Sequence, residues 1–269
     1  MLNWMSALRT SPLGLAVGLS AAAAYFLLQP GRTRNATRPR GDSKAPRTWM
    51  LETGAAVLQR RPPLRGFDTY LAGFHPMKED PEHQWIAHHW CKVVNEDFIQ
   101  CLLFDGNTAD ANLVGVEYII SERLFRQLPE EERGYWHPHN GEILSGQLAA
   151  PGLPQAAEKM LMKRQINSYG KTWHLWDTGV DGRAGDDLPF GAPRLAWSFN
   201  HDGELQPWLQ ELRDRELRLR TEERRAARKD LVAFAHPQEG TDALKGRFER
   251  PTREIPGAQE KRAQLTGRH

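Results

Sequence analysis

Between Ile86 and Phe199 the chain alternates short apolar runs with turn-forming residues, a pattern that predicts strands. The runs are "IAHHWCKVV", "FIQCLLF", "LVGVEYII", "EILSGQL", "KTWHLW" and "RLAWSF". Two helices are expected between them. One is "SERLFRQLPEEER" with Ser121 as N-cap, the other "PQAAEKMLMKRQINSYG" with Pro154 in its first turn and Gly170 as its stop. An earlier helical spacing, with Met50, Leu51, Val57 and Leu58 apolar, places the start of the domain near Trp49. From Pro207 the segment "WLQELRDRELRLRTEERRAARKDLVAF" predicts a longer helix. Its apolar positions Leu205, Trp208, Leu212, Leu219 and Ala226 form one narrow stripe on an otherwise charged, solvated surface. The expected fold class is α+β: a mainly antiparallel sheet of about six strands, packed helices and a long charged C-terminal helix.

Outside this core the pattern changes twice. Leu13–Leu28 is an uncharged run between Pro12 and Pro30. As a helix it would reach about 24 Å, somewhat short of a hydrocarbon core near 30 Å. It is expected to be an uncleaved membrane anchor, because Tyr25, Phe26, Leu27 and Leu28 continue the apolar run past the alanines where a signal peptide would be cut. Export after signal-peptide cleavage and a targeting or surface helix are the alternatives. Arg32, Arg34, Arg38, Arg40, Lys44 and Arg47 follow the run, which by the positive-inside tendency keeps the domain on the cytoplasmic side of a single-pass anchor. Gly14, Gly18 and Ala22 give the run a small-residue face through which the helix could self-associate. The organisation expected is thus an anchor or signal-like segment over 1–30, a basic flexible linker over 31–48, a domain over 49–235 and a Pro-, Gly- and charge-rich disordered tail over 236–269.

Composition narrows the function classes. The 36 Lys and Arg residues against 34 Asp and Glu leave a net charge of only +2, which argues against a nucleic-acid partner. No Gly-x-Ser-x-Gly elbow, phosphate loop or Gly-x-Gly-x-x-Gly turn is present. Two cysteines exclude a multi-disulfide scaffold or a four-cysteine zinc module. A hairpin turning at residues 95–97 would set Cys91 opposite Cys101. Reduced thiols, a cross-strand disulfide and thiolate ligation alongside His89 then all remain open.

The concentrated chemistry lies in "HQWIAHHWCK" and "YWHPHNGEI". His88, His89, His137, His139, Glu142 and His174 are candidate ligands of a divalent transition metal. On an extended segment His137 and His139 would point to one side. Glu117 interrupts the apolar strand "LVGVEYII" and must be paired, protonated or ligated if that face is buried. It is the candidate catalytic acid or base, with Arg123 and Lys171 as the structural alternatives for a partner. Against this stands the plain reading in which each histidine packs and makes one backbone hydrogen bond.

Five blocks in order, "HQWIAHHWCKVVNEDFIQCLLFD", "LVGVEYIISERLFRQLPEEE", "WHPHNGEILSGQL", "YGKTWHLWD" and "LPFGAPRLAWSFNHDGEL", resemble the oil body-associated protein family over about residues 50–230. The resemblance implies association with a membrane or lipid-body surface and supplies no catalytic residue. The chain departs from the family in its N-terminal apolar run and in the insertion "TGVDGRAG". Two functions are therefore expected: a membrane-anchored, non-enzymatic protein of a lipid surface, or alternatively a metal-dependent enzyme using the His/Glu set on an unknown substrate.

Overall fold

The structure is a computed structural model that describes residues 31–32, 37–59, 62–180 and 183–261. The apolar run Leu13–Leu28, its possible self-association and its membrane topology lie outside the described residues. Among the described residues no helix is long and apolar enough to cross a membrane.

Helix α1 (Pro46–Leu58) forms where the apolar spacing predicted it, with Pro46 in its first turn, but it buries none of its residues. The sheet follows: β1 (Thr69–Pro76), β2 (Gln84–Asn95), β3 (Phe98–Phe104) and β4 (Leu113–Ile120). Short helices α2 (Glu122–Phe125) and α3 (Glu130–Arg133), strand β5 (His137–Pro138), α4 (Asn140–Leu144) and α5 (Gln155–Gln165) lead to β6 (Tyr169–His174). In space the order is β1-β2-β3-β4-β6-β5, all antiparallel neighbours. The insertion "TGVDGRAG" holds the two-residue strands β7 (Gly179–Val180) and β8 (Arg183–Ala184), after which β9 (Arg194–Ala196) adds a further strand to β6. Beyond β9 the sheet curls back on itself. Met77 bridges Ala196, and the Trp197 N–H donates to the Pro76 carbonyl at 2.9 Å, so the end of β1 meets the end of β9. The expected mainly antiparallel α+β arrangement is present.

Because side chains alternate along a strand, the curl gives the sheet a concave inner face and a convex outer one. Leu71, Trp85, Cys91, Ile99, Cys101, Leu103 and Ile119 fill the inner core. The outer face of β1 and β2 is covered by α6 (Pro207–Leu217), whose Leu209 and Leu212 pack with Phe74, Ile86 and Phe199.

Four expectations are corrected. The run "EILSGQL" is not a strand: its first residues belong to α4, and a single bridge, Ala72–Ala149, is its nearest link to the sheet. Gly170 is not a helix stop but a residue of β6. The long C-terminal helix is broken at Arg218, which takes a left-handed φ of 55°, into α6, α7 (Thr221–Ala227) and a 3-10 segment, Lys229–Phe234. Asp214 stabilises the break by accepting from the Thr221 N–H at 2.8 Å. Nor is its charged surface uniformly solvated. Arg213 is buried and donates to the Ala72 and Gln147 carbonyls, and buried Arg228 donates to those of Ile143 and Leu148. Finally, residues 236–261, expected to be disordered, pack on the domain. Gln238, Leu244 and Ile255 are buried, and β10 (His201–Asp202) pairs with β11 (Arg253–Glu254).

The hairpin register places Cys91 opposite Cys101, and the two form a disulfide with a Cα separation of 4.1 Å. A bulge does occur, between Val93 and Asn95, but it lies beyond the cysteine pair and leaves that register intact.

Candidate functional site

Glu117 sits in the middle of β4 on the concave face, with Cys101 of β3 and Thr172 of β6 as its neighbours across the strands. Two residues from Cys91 along β2, His89 reaches the same face and lies with its Nε2 3.1 Å from Glu117 Oε2. His137, paired with Gly170 through β5, brings its Nε2 to 3.3 Å from Glu117 Oε1, and His139 Nε2 lies 3.5 Å from the same oxygen. Glu142, one turn on in α4, is 3.9 Å from His139 Nε2. All of these side chains are buried.

A further member escaped the sequence reading. His75, at the end of β1, places its Nε2 3.2 Å from His89 Nε2 and is itself buried. The signal was present: in "TYLAGFHP" the alternation sets Leu71, Gly73 and His75 on one face. That histidine stands alone in its stretch of sequence, away from the two histidine-rich blocks.

Two of the candidate ligands go elsewhere. Adjacent strand residues point to opposite faces, so His88 lies on the outer face, its Nδ1 2.7 Å from Tyr70 Oη. His174 shares the inner face but lies beyond Trp85, whose ring it contacts with centroids 4.4 Å apart. There it joins His83 and Asp177. Neither proposed cation is beside Glu117: Arg123 pairs with Asp97, and Lys171 with Glu132.

The outer hydrogen bonds of the central histidines fix their tautomers. His75 Nδ1 faces the Trp197 carbonyl at 2.8 Å and His89 Nδ1 the Ala87 carbonyl at 3.1 Å. A carbonyl only accepts, so both Nδ1 atoms carry the proton. Ser168 donates its hydroxyl to the Gln165 carbonyl, so it accepts from His139 Nδ1 at 2.8 Å. In the neutral rings the three Nε2 atoms therefore present lone pairs inward. His137 has no hydrogen-bond partner at Nδ1 among the described residues.

Gly170 supplies the room. A Cβ there would stand 2.3 Å from Glu117 Oε1, 2.6 Å from His139 Nε2 and 2.7 Å from His137 Nε2. The missing side chain leaves space where these three groups converge.

Charge in the cluster is polarised. Burial alone would raise the Glu117 carboxyl, but His137, His139 and His89 outweigh it and hold the group well below the usual carboxylate range. Burial pushes His75 down to about 3 and His137 down to about 4, the latter against the pull of Glu117. For His139 burial is outweighed by Glu117 and Glu142, and its pKa is raised. Burial pushes Glu142 up to about 7, opposed by His139 and reinforced by Glu117. The centre thus combines a Glu117 carboxylate held ionised, His75 and His137 pushed towards the neutral form, His139 pushed towards the charged one and a Glu142 carboxyl poised near neutrality.

The second group, His83, His174 and Asp177, is built differently. Arg194 Nη1 lies 3.2 Å from His83 Nδ1, and a guanidinium only donates. In a neutral ring the proton then sits on His83 Nε2, 3.2 Å from Asp177 Oδ2. The arrangement aims a proton rather than a lone pair at Asp177, which suits a ligand set poorly.

An α+β domain with a curled antiparallel sheet and a buried His/Glu centre is the class that fold and site define. The family described as "Protein of unknown function (DUF1264)" matches residues 61–232, and the chain belongs to that family; it is also similar to several proteins named oil body-associated proteins. It is 38% identical over 204 residues to oil body-associated protein 2A of Zea mays, covering 75% of this chain and 79% of that one. It is 35% identical over 205 residues to oil body-associated protein 2A of Arabidopsis thaliana, covering 76% and 81%. It is also 41% identical over 159 residues to oil body-associated protein 1A of Zea mays, covering 59% and 65%. No solved structure matches the chain at a significant level.

Proposed function

We propose that this protein is a non-enzymatic component of a lipid-body or membrane surface, held there by its N-terminal apolar run. The observation that carries the reading is kinship with proteins named for oil-body association over three quarters of the chain. Two features of the chain are consistent with it. Leu13–Leu28 is followed by a basic stretch suited to an anionic lipid surface, and α1 exposes Trp49, Met50, Leu51, Val57 and Leu58.

The test is flotation and fractionation of cells that make lipid bodies, with the full chain and a chain lacking residues 1–30 compared. The full chain is expected in the lipid-body or membrane fraction and the shortened chain in the soluble one. Retention of the shortened chain would transfer the attachment to the domain. A full chain found only in the soluble fraction would overturn the reading.

A second reading, a metal-dependent enzyme of unknown substrate, is favoured by the convergence of His75, His89, Glu117, His137, His139 and Glu142. It stands or falls with the presence of an ion among them.

A further inference from the structure

We propose that the buried cluster on the concave face is a divalent transition-metal site, with His75, Glu117 and His137 as its core and His89 and His139 completing its rim. The site is independent of surface attachment, and the enzymatic reading rests on it.

Four contacts of the cluster have the spacing of coordination-shell edges. With metal–ligand bonds of about 2.1 Å, ligand atoms lie about 3.0 Å apart at octahedral and about 3.4 Å apart at tetrahedral edges. The separations are 3.2 Å for His75–His89, 3.1 Å for His89–Glu117, 3.3 Å for Glu117–His137 and 3.5 Å for Glu117–His139. One ligand atom each from His75, Glu117 and His137 falls within 4.8 Å of the others.

The hydrogen bonding points the same way. His75, His89 and His139 direct their Nδ1 protons outward to the Trp197 carbonyl, the Ala87 carbonyl and Ser168. Such outer partners orient metal-binding imidazoles and fix the tautomer with Nε2 free. Without a cation the structure would hold two Nε2 lone pairs 3.2 Å apart, that of His89 also lying 3.1 Å from a Glu117 carboxylate oxygen, in the buried interior. That arrangement is repulsive, and burying it without compensation is costly. A proton on His89 Nε2 would relieve the two contacts that this atom makes, whereas an ion seated among His75, Glu117 and His137 satisfies all three of those groups at once. Gly170 keeps the approach to Glu117, His137 and His139 clear of a side chain.

Donor type selects the ion. Imidazole nitrogen with one carboxylate suits zinc, iron, nickel or copper, whereas magnesium and calcium favour oxygen ligands. A core of two imidazoles and one carboxylate leaves positions free for water or substrate, as in catalytic zinc and non-haem iron centres.

The test is elemental mass spectrometry on the full chain, purified without a polyhistidine tag and in detergent where membrane attachment requires it. A second measurement titrates Co2+ into the chelator-treated chain and reads its visible absorption. The expected result is about one transition-metal ion per chain, or saturable Co2+ binding at that ratio, lost in the His75→Ala, His137→Ala double variant and kept in His236→Ala. His236 is an exposed residue outside the cluster. Circular dichroism confirms that the double variant folds. If it does not, the Co2+ titration of the native chain decides alone, because the energy and intensity of the absorption report nitrogen and oxygen donors directly. A folded chain that carries no ion and shows no saturable Co2+ binding would overturn the proposal. So would a folded double variant that retains its ion in full.

Discussion

His75 and His89, fourteen residues apart in sequence and on adjacent strands, meet Nε2 to Nε2 at 3.2 Å while each Nδ1 proton is engaged by a main-chain carbonyl. Neighbouring strands of one hairpin thereby aim two lone pairs at each other. Only a charged species between them makes that arrangement favourable.

If that species is a metal ion, its removal should be felt as lost stability. An ion present at a hundred times its dissociation constant contributes about 2.7 kcal/mol, equivalent to a fall of about 5–10 °C in melting temperature on chelation. Scanning calorimetry before and after dialysis against a chelator, with re-addition of Zn2+, measures it. An unchanged melting temperature would count against an ion bound in the native state.

Gly170→Ala should be far more harmful than an alanine in a strand ordinarily is. Its Cβ would lie 2.3–2.7 Å from the three groups that converge on it, too close for any to stay in place. Loss of bound ion is expected even where circular dichroism shows the sheet retained. Full ion content in a folded variant would show that the cluster can spread without consequence.

Arg213→Ala should destabilise the fold by about 3–5 kcal/mol, because it leaves buried acceptors without their donor. Those acceptors are the carbonyls of Ala72 and Gln147, with Thr221 and Asp214 also losing contacts. Chemical denaturation is the readout. A change below about 1 kcal/mol, the range of ordinary surface substitutions, would indicate that water replaces the guanidinium.

Stability should also fall at alkaline pH through His201. Its pKa is raised above the ordinary 6.5, chiefly by the hydrogen bond to Glu204 and with help from Asp242, against burial and Lys245. A raised folded-state pKa means that the contribution is fully present below the ordinary value and is lost as pH rises through the folded one. Denaturation midpoints at about pH 5.5 and about pH 8.5 should therefore differ in favour of the acid side for this group, and Glu204→Gln should narrow the difference. An identical difference in the variant would remove His201 as its source.

Reducing Cys91–Cys101, or replacing both by alanine, should cost about 2–3 kcal/mol by the entropy of closing a short loop. Calorimetry with and without a thiol reductant tests it. The cysteines lie beside His89 and Glu117 in the sheet, so ion content should be measured in the same samples.

Much of the sheet was legible because strands β2, β3, β4 and β6 carry runs of apolar residues bounded by turns. The hairpin register that joins Cys91 to Cys101 could be counted from its loop. "EILSGQL" is ambiguous because a short apolar run fits a buried helix turn as well as a strand. The long charged helix differs for another reason: nothing local distinguishes an arginine in water from Arg213 or Arg228, whose main-chain carbonyl acceptors lie 66–141 residues away for the one and 80–85 for the other.

By itself the sequence determined most of the side chains that carry the chemistry of the cluster, although it grouped His88 with His89 and left out His75. It also determined the family, because five ordered blocks are a local property of the chain. Only the tertiary structure decided which histidines meet. The curl of the sheet brings β1, β2, β4 and the β5–α4 corner around Glu117, gathers in His75 and leaves His174 on the far side of Trp85. Convergence of that kind depends on distances between strands remote in sequence, which periodicity along one strand does not encode.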